Sequence, residues 1–163
     1  MKAAFLDRDG IINIDKGYVF RKEDFEYQRG IISFLKTLIE KDFLLFIITN
    51  QSGIGRNFYT EVDLHKLHNW LIKDLSRHSI KIEKVEYCPH LPSKMCSCRK
   101  PNTGMIMSIL KDFPQIKLNQ SILVGDKQSD IECGKRAGIN SNFLIKTDTN
   151  ALKIQFNKII NKL

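Results

Sequence analysis

The run FLLFII, Phe43 to Ile48, is apolar at every position and stops abruptly at TNQSG. A strand made from it has no polar face to offer solvent, so it must be covered on both sides. Strands of that kind belong to parallel sheets sandwiched between helices, which narrows the fold sharply. Other runs behave alike. KAAFL, Lys2 to Leu6, ends against DRDG, and IEKVEY, Ile82 to Tyr87, leads into a cysteine-rich loop. SILVG, Ser121 to Gly125, ends at DKQSD, and NFLI, Asn142 to Ile145, follows further on.

Helical spacing fills the intervals. In GIISFLKTLIE, Gly30 to Glu40, the apolar residues Ile32, Leu35, Leu38 and Ile39 recur on one face. Thr60 opens TEVD, a capping-box-like start, and Leu64, Leu67, Leu71 and Leu75 line the helix behind it to about His78. A third helix is expected around Gly104 to Phe113, burying Ile106, Ile109, Leu110 and Phe113. A short helix through Ala137 and a final amphipathic segment complete the pass. This alternation predicts a single α/β domain over residues 1–163, Rossmann-like and three-layered, with a mainly parallel sheet and right-handed crossovers. A chain of 163 residues can bury its own core without staples.

DRDG, TNQS, the cysteine loop and GDKQSD each follow a predicted strand at its C-terminal end. In an open parallel sheet those ends share one edge, where ligands bind. Asp7 and Asp9 would meet Asp126 there, and three carboxylates repel unless a cation joins them. Oxygen ligands suit magnesium, which usually meets phosphate substrates. Asp130 is expected to cap the helix that starts beside it. Thr49 and Asn50 can donate hydrogen bonds to phosphoryl oxygens, while Lys100 and Lys127 can neutralise their charge.

The stretch YCPHLPSKMCSCRKP gathers Cys88, His90, Cys96 and Cys98, the ligand count and type of a structural zinc site. Zinc would staple a loop with little hydrophobic content and so hold Arg99 and Lys100. Cys133 reads as a buried thiol, and His65, His68 and His78 as solvated. The net charge of +8 fits a phosphorylated substrate, nucleic acid or an anionic lipid surface, but scattered lysines also make an ordinary soluble surface. No run reaches membrane-spanning length and the first residues lack a signal-peptide core, so a cytoplasmic protein with no membrane partner is expected.

FLDRDG, TNQSG, CRKP and VGDKQSD resemble the four ordered motifs of the haloacid dehalogenase superfamily of phosphohydrolases. FLDRDGIIN, DKGYV, TNQSGIGR and YCPH…CSCRKP with TGM behind it resemble its heptose-bisphosphate branch, and histidinol-phosphate phosphatases share several of these motifs. The resemblance implies a phosphatase with Asp7 as nucleophile and Asp9 as general acid and then base. It implies magnesium held by Asp7, Asp126 and the Asp9 backbone carbonyl, with Thr49 and Lys100 on the phosphoryl group. Arg99 would recognise a second phosphate, Asp15, Lys16, Gly17 and Tyr18 the sugar, and Lys127 would order the acidic site. Asn50, Gln51 and Ser52 would complete the substrate wall, with Ser52 and the GYV of Gly17 to Val19 pointing to the heptose branch.

The short intervals between motifs imply an open domain without a separate cap, one wall being the zinc loop, and a monomer acting on a small sugar bisphosphate. One departure stands out: Asn57 occupies a position where these relatives carry glycine, and asparagine tolerates the same left-handed backbone. The competing reading is a zinc-stapled basic nucleic-acid-binding protein. It leaves Asp7, Asp9 and Asp126 unexplained, and the cysteine loop leads into an apolar helical stripe instead of a basic one.

Overall fold

The computed structural model describes residues 1–147 and 152–163. Its sheet is five-stranded and wholly parallel, in the order β3-β2-β1-β4-β5. The strands are β1 (Lys2–Leu6), β2 (Phe43–Asn50), β3 (Ile82–Cys88), β4 (Ile122–Gly125) and β5 (Ser141–Leu144). Helices α1 (Ile31–Glu40), α2 (Ser52–Gly55), α3 (Glu61–Arg77), α4 (Gly104–Asp112), α5 (Gln128–Ala137) and α6 (Leu152–Ile160) lie between and after them.

Side-chain alternation along the strands builds two cores. Ala4, Leu6, Leu45, Ile47, Ile122 and Val124 pack with α1, α3 and α6 through Leu35, Leu38, Leu71, Leu75 and Phe156. Ala3, Phe5, Phe46, Ile48 and Leu123 pack with α4 and α5 through Met105, Ile106, Ile109, Cys133 and Ala137. Both faces of FLLFII are therefore covered, as its composition requires. Cys133 is the buried thiol expected.

Hydrogen-bond register moves some boundaries that hydrophobicity alone sets short. Thr49 and Asn50 stay in β2 because they pair with Tyr87 and Cys88 of β3. On α4 it is Met105 that joins Ile106 and Ile109 inside, while Leu110 and Phe113 are only partly buried. At the start of α3, Thr60 Oγ1 accepts from the Asp63 N–H at 3.2 Å and Asp63 Oδ2 accepts from the Thr60 N–H at 3.0 Å. A reciprocal cap of this kind stabilises a helix by about 1 kcal/mol.

Strand order turns around at β1, which lies between β2 and β4, and such a switch opens a crevice at the C-terminal strand ends. Among the described residues the intervals between strands hold only loops, the helices named and two single 3-10 turns at Lys22–Asp24 and Leu118–Gln120, with no separate cap domain. No described helix is long and apolar enough to cross a membrane.

Candidate active site

Asp7 is the first residue beyond β1, and its backbone N–H still donates to the Val124 carbonyl at 3.0 Å. The carboxylate is buried, and its Oδ1 accepts from the Arg8 N–H at 2.8 Å and pairs with Lys100 Nζ at 3.0 Å. Lys100 is also buried; its ammonium reaches Asp130 Oδ1 at 2.6 Å and donates to the Ile48 carbonyl at 2.9 Å. Asp130 Oδ2 accepts from the Lys127 N–H at 3.0 Å. Asp130 thus caps α5, as its position suggests, and in addition grips Lys100. That second contact requires Gly125, where a Cβ would collide with the Asp130 side chain.

Charge shapes the titration of this floor. Burial drives the Asp7 carboxyl up to about 7; Lys100 pulls it down, while Asp130, Asp126 and Asp9 push it further up. Burial and Asp130 likewise raise Asp126 against the pull of Lys127. For Lys100 burial works against the charge, but Asp7 and Asp130 outweigh it and raise the ammonium. Lys127 follows the same pattern, with burial opposed chiefly by Asp126.

Asp7, Asp126 and Asp130 present carboxylate oxygens within 4.8 Å of one another. Asp126 Oδ1 is buried with no hydrogen-bond partner, a costly state for a carboxylate oxygen unless a cation meets it. The site therefore fits a hard divalent ion such as magnesium between Asp7 and Asp126, both Asp130 oxygens being already engaged by Lys100 and the Lys127 N–H. Gly10, at φ +91°, leaves room for this: a Cβ there would strike Asp126 Oδ2.

The Asp9 carboxylate is not part of that cluster. Arg8 Nη2 lies 2.9 Å from each of its oxygens, Asn13 Nδ2 donates to Oδ1 at 2.9 Å, and Gln51 Nε2 to Oδ2 at 2.9 Å. Burial would raise its pKa, but Arg8, Asn13 and Gln51 prevail and hold it below the usual carboxylate range. Arg8 in turn contacts His68 Nε2 at 3.1 Å. His68 is buried, which corrects the expectation of a solvated ring. Its place on α3 beside Leu64, Leu71 and Leu75 is an interior one, and the guanidinium supplies the polar partner it needs there.

These groups open into a cleft of about 440 Å³. Asp7, Asp9, Asp15, Gly17, Tyr18, Thr49, Asn50, Gln51, Ser52, Arg99, Lys100 and Lys127 all line it. Lys16 does not; its ammonium pairs with Glu26 at 2.9 Å. Asp126 sits behind Gly10, outside the lining. Tyr59 and Ser129 line the cleft as well; Ser129 falls within the GDKQSD stretch without standing out there, and nothing in the neighbourhood of Tyr59 singles it out. The Gln51 amide also donates to Thr49 Oγ1 at 2.8 Å, and its oxygen accepts from the Tyr59 hydroxyl. At the rim Tyr18, at φ 53°, meets Phe58 edge to face, and Lys127 pairs with Asp15 at 3.6 Å. Asn57 has φ 60°, the left-handed conformation in which asparagine replaces glycine.

The cysteine loop forms the adjoining wall. Cys88 Sγ is 3.7 Å from Cys96 Sγ and 2.9 Å from Cys98 Sγ, and Cys96 and Cys98 are 3.6 Å apart. His90 Nδ1 lies 3.5 Å from Cys88 Sγ and 3.3 Å from Cys98 Sγ. Ligands at Zn–S lengths of about 2.3 Å on a tetrahedron are separated by roughly 3.7 Å. The Cys96 pairs match this, the Cys88–Cys98 pair is shorter, and the four side chains together have the number and type of donors that zinc takes. All four cysteines of the chain are free of disulfides. Arg99 Nη1 donates to the His90 carbonyl at 3.2 Å, tying it to the loop. Lys100 is tied elsewhere: its N–H donates to Asn50 Oδ1 at 3.1 Å and its carbonyl accepts from Asn50 Nδ2 at 3.3 Å.

A family model described as polynucleotide kinase 3 phosphatase matches residues 2–161. The D-glycero-alpha-D-manno-heptose-1,7-bisphosphate 7-phosphatase of Campylobacter jejuni is 44% identical over 147 residues, covering 90% of this chain and 84% of that protein. The D-glycero-beta-D-manno-heptose-1,7-bisphosphate 7-phosphatase of Helicobacter pylori strain 26695 is 46% identical over 145 residues, covering 88% and 83%. Among solved structures, a HAD-like phosphatase from Mesorhizobium loti matches with a TM-score of 0.86 at 24% identity, covering 99% of this chain and 85% of that one. The D,D-heptose 1,7-bisphosphate phosphatase from B. bronchiseptica, complexed with magnesium and phosphate, matches with a TM-score of 0.78 at 22% identity over the whole of both chains. At such identities the structural likeness is one of fold.

Proposed function

The chain belongs to the polynucleotide kinase 3 phosphatase family of haloacid dehalogenase-like phosphatases, and from that premise we propose that it removes the C7 phosphate of D-glycero-D-manno-heptose 1,7-bisphosphate. The observation that carries this reading is the meeting of Asp7, Lys100 and Arg99 in one cleft. It combines a buried carboxylate, a cation beside it, and a second cation available to a distal phosphate.

Asp7 attacks phosphorus through Oδ2, because Oδ1 is held by Arg8 and Lys100. As the new oxygen–phosphorus bond forms, the bond from phosphorus to the C7 oxygen breaks, and that oxygen takes a proton from Asp9. Resting Asp9 is surrounded by donors that favour the carboxylate, so a phosphate dianion drawn alongside is what raises its proton affinity. Water then attacks the aspartyl phosphate while Asp9 accepts its proton. The bond from Asp7 to phosphorus breaks, inorganic phosphate leaves, and both carboxyl groups are restored.

Lys100 and the Thr49 hydroxyl stabilise the phosphoryl oxygens. Magnesium would be held by the Asp7 and Asp126 side chains and the Asp9 carbonyl, and would supply positive charge against the repulsion between two anions. Arg99 takes the second phosphate through its planar fork. Asp15, Gly17 and Tyr18 face the sugar with Asn50, Gln51 and Ser52 beside it. Lys16 joins them only if its pair with Glu26 opens. Cys88, His90, Cys96 and Cys98 would hold zinc, which would order the loop that carries Arg99.

The test is magnesium-dependent phosphate release from both anomers of the heptose bisphosphate, beside histidinol phosphate and a 3′-phosphorylated oligodeoxynucleotide. The expected result is strong preference for a heptose bisphosphate, with one equivalent of phosphate lost from C7. Preference for histidinol phosphate or for the oligonucleotide overturns the substrate assignment.

A further inference from the structure

Arg8 is among the largest side chains with no exposure to solvent, and a buried guanidinium must find acceptors for its hydrogens. Nη2 serves both Asp9 oxygens at 2.9 Å, the Val19 carbonyl at 2.6 Å and Gln51 Oε1 at 3.5 Å. Nη1 lies 3.1 Å from His68 Nε2, and Nε has no partner. Guanidinium nitrogens only donate. His68 Nε2 must therefore be a bare acceptor, with the ring proton on Nδ1. Burial, followed by the adjacent Arg8 charge, keeps this ring neutral and pushes its pKa down to about 3.

Neither Arg8 nor His68 lines the cleft, so neither is placed to touch a substrate. The Arg8 contacts run instead to Asp9, whose carboxylate stands outside the acidic cluster, and His68 reaches Asp9 only through Arg8. Asn13 and Gln51 each hold one oxygen of Asp9, and Arg8 spans both. Proton transfer requires its donor and acceptor within hydrogen-bond reach and in line, so the setting of this carboxylate matters to the rate.

We propose that Arg8 and His68 are positioning residues for proton transfer at Asp9: His68 holds Nη1, and that grip aims Nη2 at both carboxylate oxygens. The proposal rests on the reading of Asp9 as the acid that protonates the leaving oxygen. Its signature is dependence on the leaving group. A nitrophenolate departs without a proton, whereas a sugar alkoxide needs one.

The measurement is the single-turnover rate of leaving-group release from p-nitrophenyl phosphate and from the heptose bisphosphate. His68→Leu removes the acceptor and should slow the sugar substrate roughly 10- to 100-fold while changing the aryl substrate less than about threefold. His68→Gln returns an acceptor oxygen and should recover most of the loss. Should His68→Leu not fold by circular dichroism, Arg8→Lys, which keeps the charge and loses the fork, carries the same expectation. Equal losses on both substrates, or none, overturn the positioning role. Asp9→Asn is the control for the underlying reading. If it is selective for the sugar substrate and His68→Leu is not, positioning alone fails; if it too slows both alike, the acid assignment fails and takes the positioning role with it.

Discussion

The acidic floor and the cysteine loop are neighbours in the same cleft, yet they are held together differently. The floor grows out of strand ends: Asp7 is still hydrogen-bonded to β4, and Lys100 and Asp130 are buried beside it. The loop lies beyond the last ladder bond of β3, and its side chains are mostly half-exposed, with Met95 99% exposed. Where sheet hydrogen bonds stop and apolar burial is scarce, the four ligating side chains add order to a loop otherwise held by scattered hydrogen bonds. Among these are Gly55 N–H to the Pro89 carbonyl and Gly104 N–H to the Ser97 carbonyl. The boundary falls between two adjacent residues. Arg99 hangs on the loop through the His90 carbonyl, whereas Lys100 is pinned by Asn50, Asp7, Asp130 and Ile48. Loop order should therefore govern recognition of the distal phosphate more than the chemistry at the floor.

The sharpest break between the two regions is Asp7→Asn. Turnover should fall at least about a thousandfold, with zinc content and thermal melting little changed. Phosphate release and metal analysis on one preparation check it, and substantial residual turnover would remove Asp7 as nucleophile. Lys100→Met attacks the floor's cohesion as well as its chemistry. It leaves Asp7 and Asp130 buried without their shared cation, so denaturant unfolding should show a loss of about 3–5 kcal/mol. Its kcat should drop about a hundredfold.

Cys96→Ala, or zinc removal by a chelator, acts from the other side. Zinc content and melting temperature should both fall, and KM for the bisphosphate should rise about tenfold, more than kcat declines. A larger effect on kcat than on KM would place Lys100 with the loop after all. The smallest effect is a pH dependence of stability. His68 stays neutral in the fold down to about pH 3, while an unfolded histidine takes up its proton below about pH 6.5. The unfolded chain thus binds the extra proton between those values. Stability from this group is complete above the upper value and falls as the pH drops through that window. His68→Gln should flatten that part of a urea-unfolding profile recorded against pH.

The features legible in the chain are those in which chemistry and periodicity coincide. An all-apolar FLLFII admits little besides a doubly covered strand, and acidic or amide clusters at strand ends follow from where a parallel sheet binds ligands. The four zinc-type ligands declare themselves by residue type. Arg8 did not stand out, because a charged residue in a loop is ordinarily solvated and its burial depends on a helix some sixty positions away. His68 left a usable trace: Leu64, His68, Leu71 and Leu75 follow one helical stripe, so the ring falls on the face that must be buried. Asp130 was legible as a cap but not as a partner of Lys100, since that pairing joins the first turn of α5 to a loop distant in sequence. Tyr59 reaches the cleft through loop geometry alone, while Ser129 is carried there by the GDKQSD stretch that opens α5.

The central position of β1 has a consequence for synthesis. β1 pairs with β2 on one side and β4 on the other, but residues 2–6 are made long before residues 122–125. On the ribosome, β1, β2 and β3 can assemble first and leave the far edge of β1 without its ladder. Asp7 then lacks both the Val124 carbonyl above it and the Lys100–Asp130 pair that later surrounds it. The acidic floor is thus completed by the same late event that covers the far edge of β1, and a nascent chain stalled before β4 carries an open parallel edge prone to association with its own kind.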